Sequence, residues 1–117
     1  MGEVGDYLST IDGADRAALE RVYAIAREVV AEAEEGTSYG MAALVYRGKG
    51  LIATTRTKKF LSLYPYSGTV IASVSDALGD FETTSGSVHY SADHQLGDSV
   101  VRRIVEARRI EIDARAR

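Results

Sequence analysis

Apolar residues recur every three to four positions through the first third of the chain, alternate with polar ones through the middle, and return to the longer period near the end. Leu19, Val22, Tyr23, Ala26, Val29, Val30 and Ala33 follow i, i+3, i+4 and i+7 spacing, which places one apolar stripe along about six turns of helix. Asp12 and Asp15 suit its start, the first as an N-cap and the second as a carboxylate at the positive end of the helix dipole. The helix is predicted to begin near residue 13, behind a short apolar lead-in of Tyr7, Leu8 and Ile11. Gly36 suits the position just past a helix end, so the helix is predicted to run up to it.

Beyond Gly36 the pattern becomes that of strands. Ala42 to Tyr46 is predicted as a strand, Arg47-Gly48-Lys49-Gly50 as a turn, and Leu51 to Thr55 as the return strand of a hairpin. Arg56, Thr57 and Lys58 make a second, basic turn before a third strand over Lys59 to Tyr64. Pro65 ends that strand and Ser67 caps a short helix that buries Val70, Ile71, Val74 and Leu78 and stops at Gly79. Phe81 to Tyr90 reads as an extended segment or hairpin turning at Ser85 and Gly86. A last helix starts at Asp98, with Val101, Ile104 and Val105 inward and Arg102 and Glu106 as an i, i+4 pair on the outside. The fold class is therefore α+β, with an antiparallel sheet of about five strands between N- and C-terminal helices.

Composition narrows the setting. The 117 residues suffice for one domain, 1–117, that removes roughly two thirds of its unfolded surface from water. With no cysteine and no apolar run of membrane or signal length, a cytoplasmic protein without disulfides, thiolate metal sites or membrane partner is expected. A net charge of -3 and a pI near 5.4 argue against nucleic acid as a partner. The charge is uneven, however, because six arginines fall within the last sixteen residues. Local patches therefore matter more than the total.

Two clusters carry candidate chemistry. On the predicted helix Glu28, Glu32 and Glu35 lie within about 60° of one another, with Glu34 beside them. Carboxylates at a helix C-terminus oppose its dipole by about 0.3–1 kcal/mol each. Such a ridge offers oxygen ligands to a hard cation or a face to a basic partner, against the simpler reading of a solvated helix surface. The second cluster is aromatic: Tyr39, Met41, Tyr46, Tyr64, Tyr66 and Tyr90 sit on or beside predicted strands, and Arg108 lies seven residues after Val101 on nearly the same helix face. Convergence of Tyr39, Met41, Tyr64 and Tyr90 on Arg108 would make a pocket for a small carboxylate or a peptide; separately, each tyrosine is a packing residue with one wet end and Arg108 a snorkelling cation.

No catalytic motif is present, and a protein without enzymatic activity is expected. The glycines around Lys49 lack the spacing and following helix of a phosphate loop. His89 is expected to face solvent from a strand, and its i, i+5 spacing to His94 fits no helical metal pair. His94 with Asp93 and Asp98 is a weaker metal set. No serine lies in a nucleophile-elbow context.

With these residues in view, the chain resembles the YdhG-like family of small bacterial proteins, long classed as a domain of unknown function and associated with a frataxin-like iron chaperone role. The resemblance covers almost the whole chain. It rests on Tyr7-Leu8, the acidic stretch before residue 36, Ser38-Tyr39-Gly40-Met41, Leu63-Tyr64-Pro65, Thr84-Ser85-Gly86 before Val88, and Ile104, Val105 and Arg108. It departs at Ala42 and Ser91, where the family usually has proline, and at Ser85, where it has lysine. The resemblance implies helices packed on one face of the sheet, as in frataxin. It further implies weak binding of ferrous iron by Glu28, Glu32, Glu34 and Glu35, and delivery to iron-sulfur or haem assembly proteins by a monomer or homodimer. The alternative from the residues is a non-catalytic ligand- or protein-binding module using the tyrosine pocket.

Overall fold

The apolar stripe of the first long helix seats it against a sheet, and one polar atom on that stripe decides how the sheet is built. The computed structural model describes residues 2–115. A short helix α1 (Glu3–Leu8) precedes α2 (Gly13–Val29), after which four strands follow in succession: β1 (Glu34–Ser38), β2 (Met41–Tyr46), β3 (Lys49–Arg56) and β4 (Leu61–Tyr64). A helix α3 (Gly68–Ser73), a 3-10 turn (Ser75–Ala77), β5 (Val88–Tyr90) and α4 (Asp98–Arg115) complete the order. The strands form one antiparallel sheet in the order β1-β2-β3-β4-β5. α2 and α4 pack on each other and both on β3, while α1 covers β1 and β2. No described helix is long and apolar enough to cross a membrane.

The stripe residues Leu19, Val22, Tyr23 and Ala26 are all buried, and Val101, Ile104 and Val105 meet them from α4. Leu44, Leu51, Ile52, Leu61, Leu63 and Val88 supply the sheet side of the same cluster. Ser67 caps α3 as its position suggests, its Oγ accepting from Val70 N–H at 3.2 Å.

Several boundaries differ from the predicted ones. The lead-in is itself a helix, α1, burying Val4 and Leu8. α2 stops seven residues before Gly36, because the β-branched Val30 turns to an extended backbone (φ -127°, ψ 87°). The segment Glu34–Ser38 is then taken by a partner: it pairs along its length with β2, from Glu34 opposite Val45 to Ser38 opposite Met41. Gly36 is a strand residue, and a Cβ there would lie 3.1 Å from Val45 Cγ2. The third strand begins at Leu61 rather than Lys59, since Thr57 to Phe60 closes as a turn through Thr57 N–H to Phe60 O. Arg102 pairs with Glu28 on α2 instead of Glu106, which pairs with Arg109.

Between β2 and β3 the ladder is irregular. Leu44 faces Ile52 and Val45 faces Gly50, so Leu51 is an extra residue on β3. Farther along, where the two strands diverge, the Tyr23 hydroxyl from α2 occupies the gap. It accepts from Thr54 N–H at 3.1 Å and shares its own proton between Ala42 O at 2.9 Å and Thr54 O at 3.1 Å. A phenol here replaces ladder hydrogen bonds. On the next strand over, Thr54 Oγ1 donates to Ser62 O at 2.9 Å and therefore accepts from Tyr90 Oη.

Removing this hydroxyl should be costly, because the buried Thr54 N–H and the half-buried Ala42 C=O lose their partner. Tyr23→Phe is expected to lower the unfolding free energy by about 1–3 kcal/mol, read as an earlier urea midpoint at unchanged slope. Burial also raises the phenol of Tyr23 above its ordinary value and that of Tyr90 to about 12. Because both values are raised in the folded state, the stability they contribute is complete below about pH 10, the unfolded phenol value, and is lost as pH climbs through about 12. In an alkaline absorbance titration of the seven tyrosines, two should ionise only with unfolding; ionisation of all seven in the intact fold would refute this.

Candidate functional site

The hairpins that flank β2 turn through two residues each, and their left-handed geometry places the side chains of the site. Tyr39 and Gly40 have φ of 51° and 77°, and Arg47 and Gly48 have 52° and 79°. Both turns therefore match the type I′ pattern, whose hand suits the twist of paired strands. The register puts these turns at opposite ends of β2. Even so, the β1-β2 hairpin curls far enough for its tip to touch the start of β3. A Cβ on Gly50 would lie 2.8 Å from both Ser38 Oγ and a ring carbon of Tyr66, so glycine at 50 is a condition of this approach.

The contact encloses a cleft of about 320 Å³ between the hairpin tip, the start of β3 and the end of α4. Its walls are aromatic. Tyr39 stacks on Tyr66 with ring centres 5.8 Å apart and planes inclined by 24°, and Tyr66 Oη donates to Ser38 O at 3.1 Å. Burial pushes the Tyr66 phenol up.

The remaining lining is cationic. Lys49 and Arg115 stand at the rim, and Arg108, only 7% exposed, lies beneath. Arg108 is held by two bonds, Nε to Gly50 O at 2.9 Å and Nη1 to Glu111 Oε1 at 3.2 Å. Glu111 in turn accepts from the Ser67 hydroxyl that caps α3, at 2.9 Å. Among the described residues Nη2 of Arg108 has no hydrogen-bond partner. The neighbouring cations are already committed. Asp113 accepts from Tyr46 Oη at 2.7 Å, Arg47 at 3.0 Å and Arg109 at 2.8 Å, contacts that hold its carboxyl below the ordinary range. By contrast, neither Lys49 nor Arg115 has an ion-pair partner among the described residues.

Backbone cost is concentrated at the same place. Tyr39 and Tyr66 (φ 61°) are two of three non-glycine residues with positive φ among those described, and the third is Arg47 in the adjoining turn. A bulky side chain in this region costs on the order of 1–3 kcal/mol and persists where surrounding structure or function demands it.

Of the residues predicted for a tyrosine pocket, Tyr39 and Arg108 meet here, joined by Tyr66. Met41 and Tyr64 are half-buried strand residues, opposite Ser38 and Ala53, outside the lining. Tyr90 is buried beneath the sheet against Thr54, and Tyr46 is bound to Asp113. The missed members, Lys49 and Arg115, are exposed basic residues far apart in sequence, and no local pattern joins them.

The acidic ridge does not form. Glu28 lies on α2 and pairs with Arg102; Glu32 sits in the turn after it. Glu34 and Glu35 are consecutive strand residues, which alternation sends to opposite faces. Glu35 is engaged by Arg27 at 2.7 Å and Gly5 N–H at 3.0 Å. Among the described residues no three of His, Cys, Asp and Glu come together as metal ligands, so the four glutamates do not fit a ferrous cargo held between them. His94 stacks on Phe81 and Asp98 pairs with Arg21. His89 is half-buried rather than solvent-facing, stacked on Phe60 at 3.9 Å and bonded to Glu82 at 2.9 Å. Of the three departures from the resembled pattern, Ser91 has a physical role here: its N–H donates to His94 O at 3.1 Å, a bond proline cannot make.

No family model and no curated protein matches the chain. Among solved structures it is similar to the crystal structure of YdhG, a protein of the DUF1801 family from Bacillus subtilis, with a TM-score of 0.77 and 18% identity over 89% of this chain and 86% of that one. The shared property is the α+β fold, over nearly the full length of both chains.

The strain at the hairpin tip is directly measurable. Asn-Gly is the preferred pair for this turn, so Tyr39→Asn should raise stability by about 1 kcal/mol, seen as a melting temperature higher by about 3–5 °C. An unchanged or lower value would mean that the stacking on Tyr66 outweighs the strain.

Proposed function

We propose that the chain is a non-catalytic binding module that takes a small anion, a carboxylate or phosphate, in the cleft between the β1-β2 hairpin tip and the end of α4. The observation that carries this reading is the state of Arg108. Its guanidinium is fixed by Gly50 O and Glu111, leaves Nη2 without a described partner, and lines a cleft whose rim holds two further cations. A guanidinium locked in this way loses little freedom on binding an oxyanion and presents its donors in a planar fork. Glu111 neutralises part of the charge, which favours weak, reversible binding over tight capture.

The reading is checked by following backbone amides while inorganic phosphate or acetate is added. Shifts are expected at 38–39, 48–50, 66 and 108, saturating in the millimolar range and weakening with salt. The exposed charge reversals Lys49→Glu and Arg115→Glu together should weaken binding by at least about tenfold without unfolding the protein. Shifts absent at about 10 mM anion, or unaffected by the reversals, would remove the cleft as an anion site.

A further inference from the structure

Anion binding accounts for the cations but not for the two tyrosines. An oxyanion on Lys49, Arg108 and Arg115 needs no aromatic wall, and an exposed hairpin turn needs no tyrosine in a conformation that asparagine or glycine adopts at lower cost. Yet Tyr39 is 89% exposed, occupies that conformation, and lies face to face with a second tyrosine in the same conformation. The two rings belong to the same cleft as the cations.

We propose that this pair is a clamp for a planar aromatic ring, and that the ligand of the cleft is an aromatic oxyanion: the ring stacks on Tyr39 and Tyr66 while its carboxylate or phosphate meets Arg108 and the rim cations. The inference rests on the anion-binding reading above and specifies its ligand. A ring sandwiched between two others needs about 7 Å between their planes, twice the optimal carbon contact of about 3.5 Å, so Tyr39 and Tyr66, stacked on each other with centres 5.8 Å apart and planes inclined by 24°, must part to admit one.

The two jaws are differently held. Tyr66 is packed against Gly50 and tied through its hydroxyl to Ser38 O, which makes it the fixed jaw. Tyr39 rides on a two-residue turn, 89% exposed, with nothing within 4 Å of where a side chain on Gly40 would be, which makes it the jaw that would move.

The test compares each aromatic anion with its saturated or ring-free counterpart on the intact chain: 2-naphthoate against decalin-2-carboxylate, and adenosine monophosphate against ribose 5-phosphate. Affinities come from the amide titration, and stacking from ring-current shifts of the Tyr39 and Tyr66 ring protons. In at least one pair the aromatic member should bind about tenfold more tightly, and which pair shows it identifies a carboxylate or a phosphate source. Tyr39→Asn should lower the affinity of the aromatic member to that of its counterpart, which removes the preference. Equal affinities within both pairs, with phosphate binding intact, would overturn the clamp and leave the anion site standing. Failure of every anion to bind would overturn the anion site and the clamp with it.

Discussion

The placement of one phenol oxygen governs the shape of the sheet. Where β2 and β3 part, the buried Thr54 N–H and the half-buried Ala42 C=O are not paired with each other, and each would cost free energy if left unpaired. The Tyr23 hydroxyl reaches both from the face of α2, because it carries one donor and spare acceptor capacity in a single atom. α2 is thereby keyed to the sheet in depth and in register, whereas apolar packing alone would tolerate small slides. The Thr54 side chain extends the same arrangement to β4 and β5 through Ser62 O and Tyr90. Tyr23, Thr54, the Ser62 carbonyl and Tyr90, from α2, β3, β4 and β5, thus share one connected polar knot, while the buried Ser62 hydroxyl beside it has no hydrogen-bond partner among the described residues.

The cleft depends on this opening. Strands that separate at one end, with an extra residue at Leu51, allow the β1-β2 hairpin to bend back over the start of β3. Only then can Ser38 and Tyr66 crowd Gly50, and only with that carbonyl in place does Arg108 find its anchor. Ser67 couples the start of α3 to the same arginine through Glu111. The site is therefore built from β1, β3, α3 and α4 at once. None of these elements holds it alone.

The sequence made the helical stripe of α2, the succession of antiparallel strands and the capped α3 legible, since each follows from local periodicity and turn chemistry. Arg108 was legible too, because an arginine in register with Val101 must either reach water or find partners. The segment Glu34–Ser38 was not. Two glutamates and a glycine are depleted in strands and only Thr37 favours one, so the extended form of this segment is imposed by pairing with β2. That single misreading created the acidic ridge, since a helix continued through residue 35 aligns carboxylates that a strand sends apart. The hydroxyl of Tyr23 was hidden for the opposite reason: on an apolar stripe its ring explains its position, and nothing in the pattern announces that its oxygen replaces a piece of ladder. Lys49, Tyr66 and Arg115 are brought together only by the curl of the sheet.

The strand order also has a kinetic meaning. Every neighbouring pair in β1-β2-β3-β4-β5 is consecutive in the chain, and the first two connections are two residues long. Loop-closure entropy is small for such contacts, so the first hairpins are the least costly parts of the fold to nucleate. The bond from Arg108 to Gly50 joins residues 58 positions apart and requires α4 to arrive on a sheet already shaped by α2. By contact-order reasoning the floor of the cleft is among the last parts to assemble. A chain emerging from synthesis would hold a recognisable sheet before it held the cleft, which exists only in the finished fold.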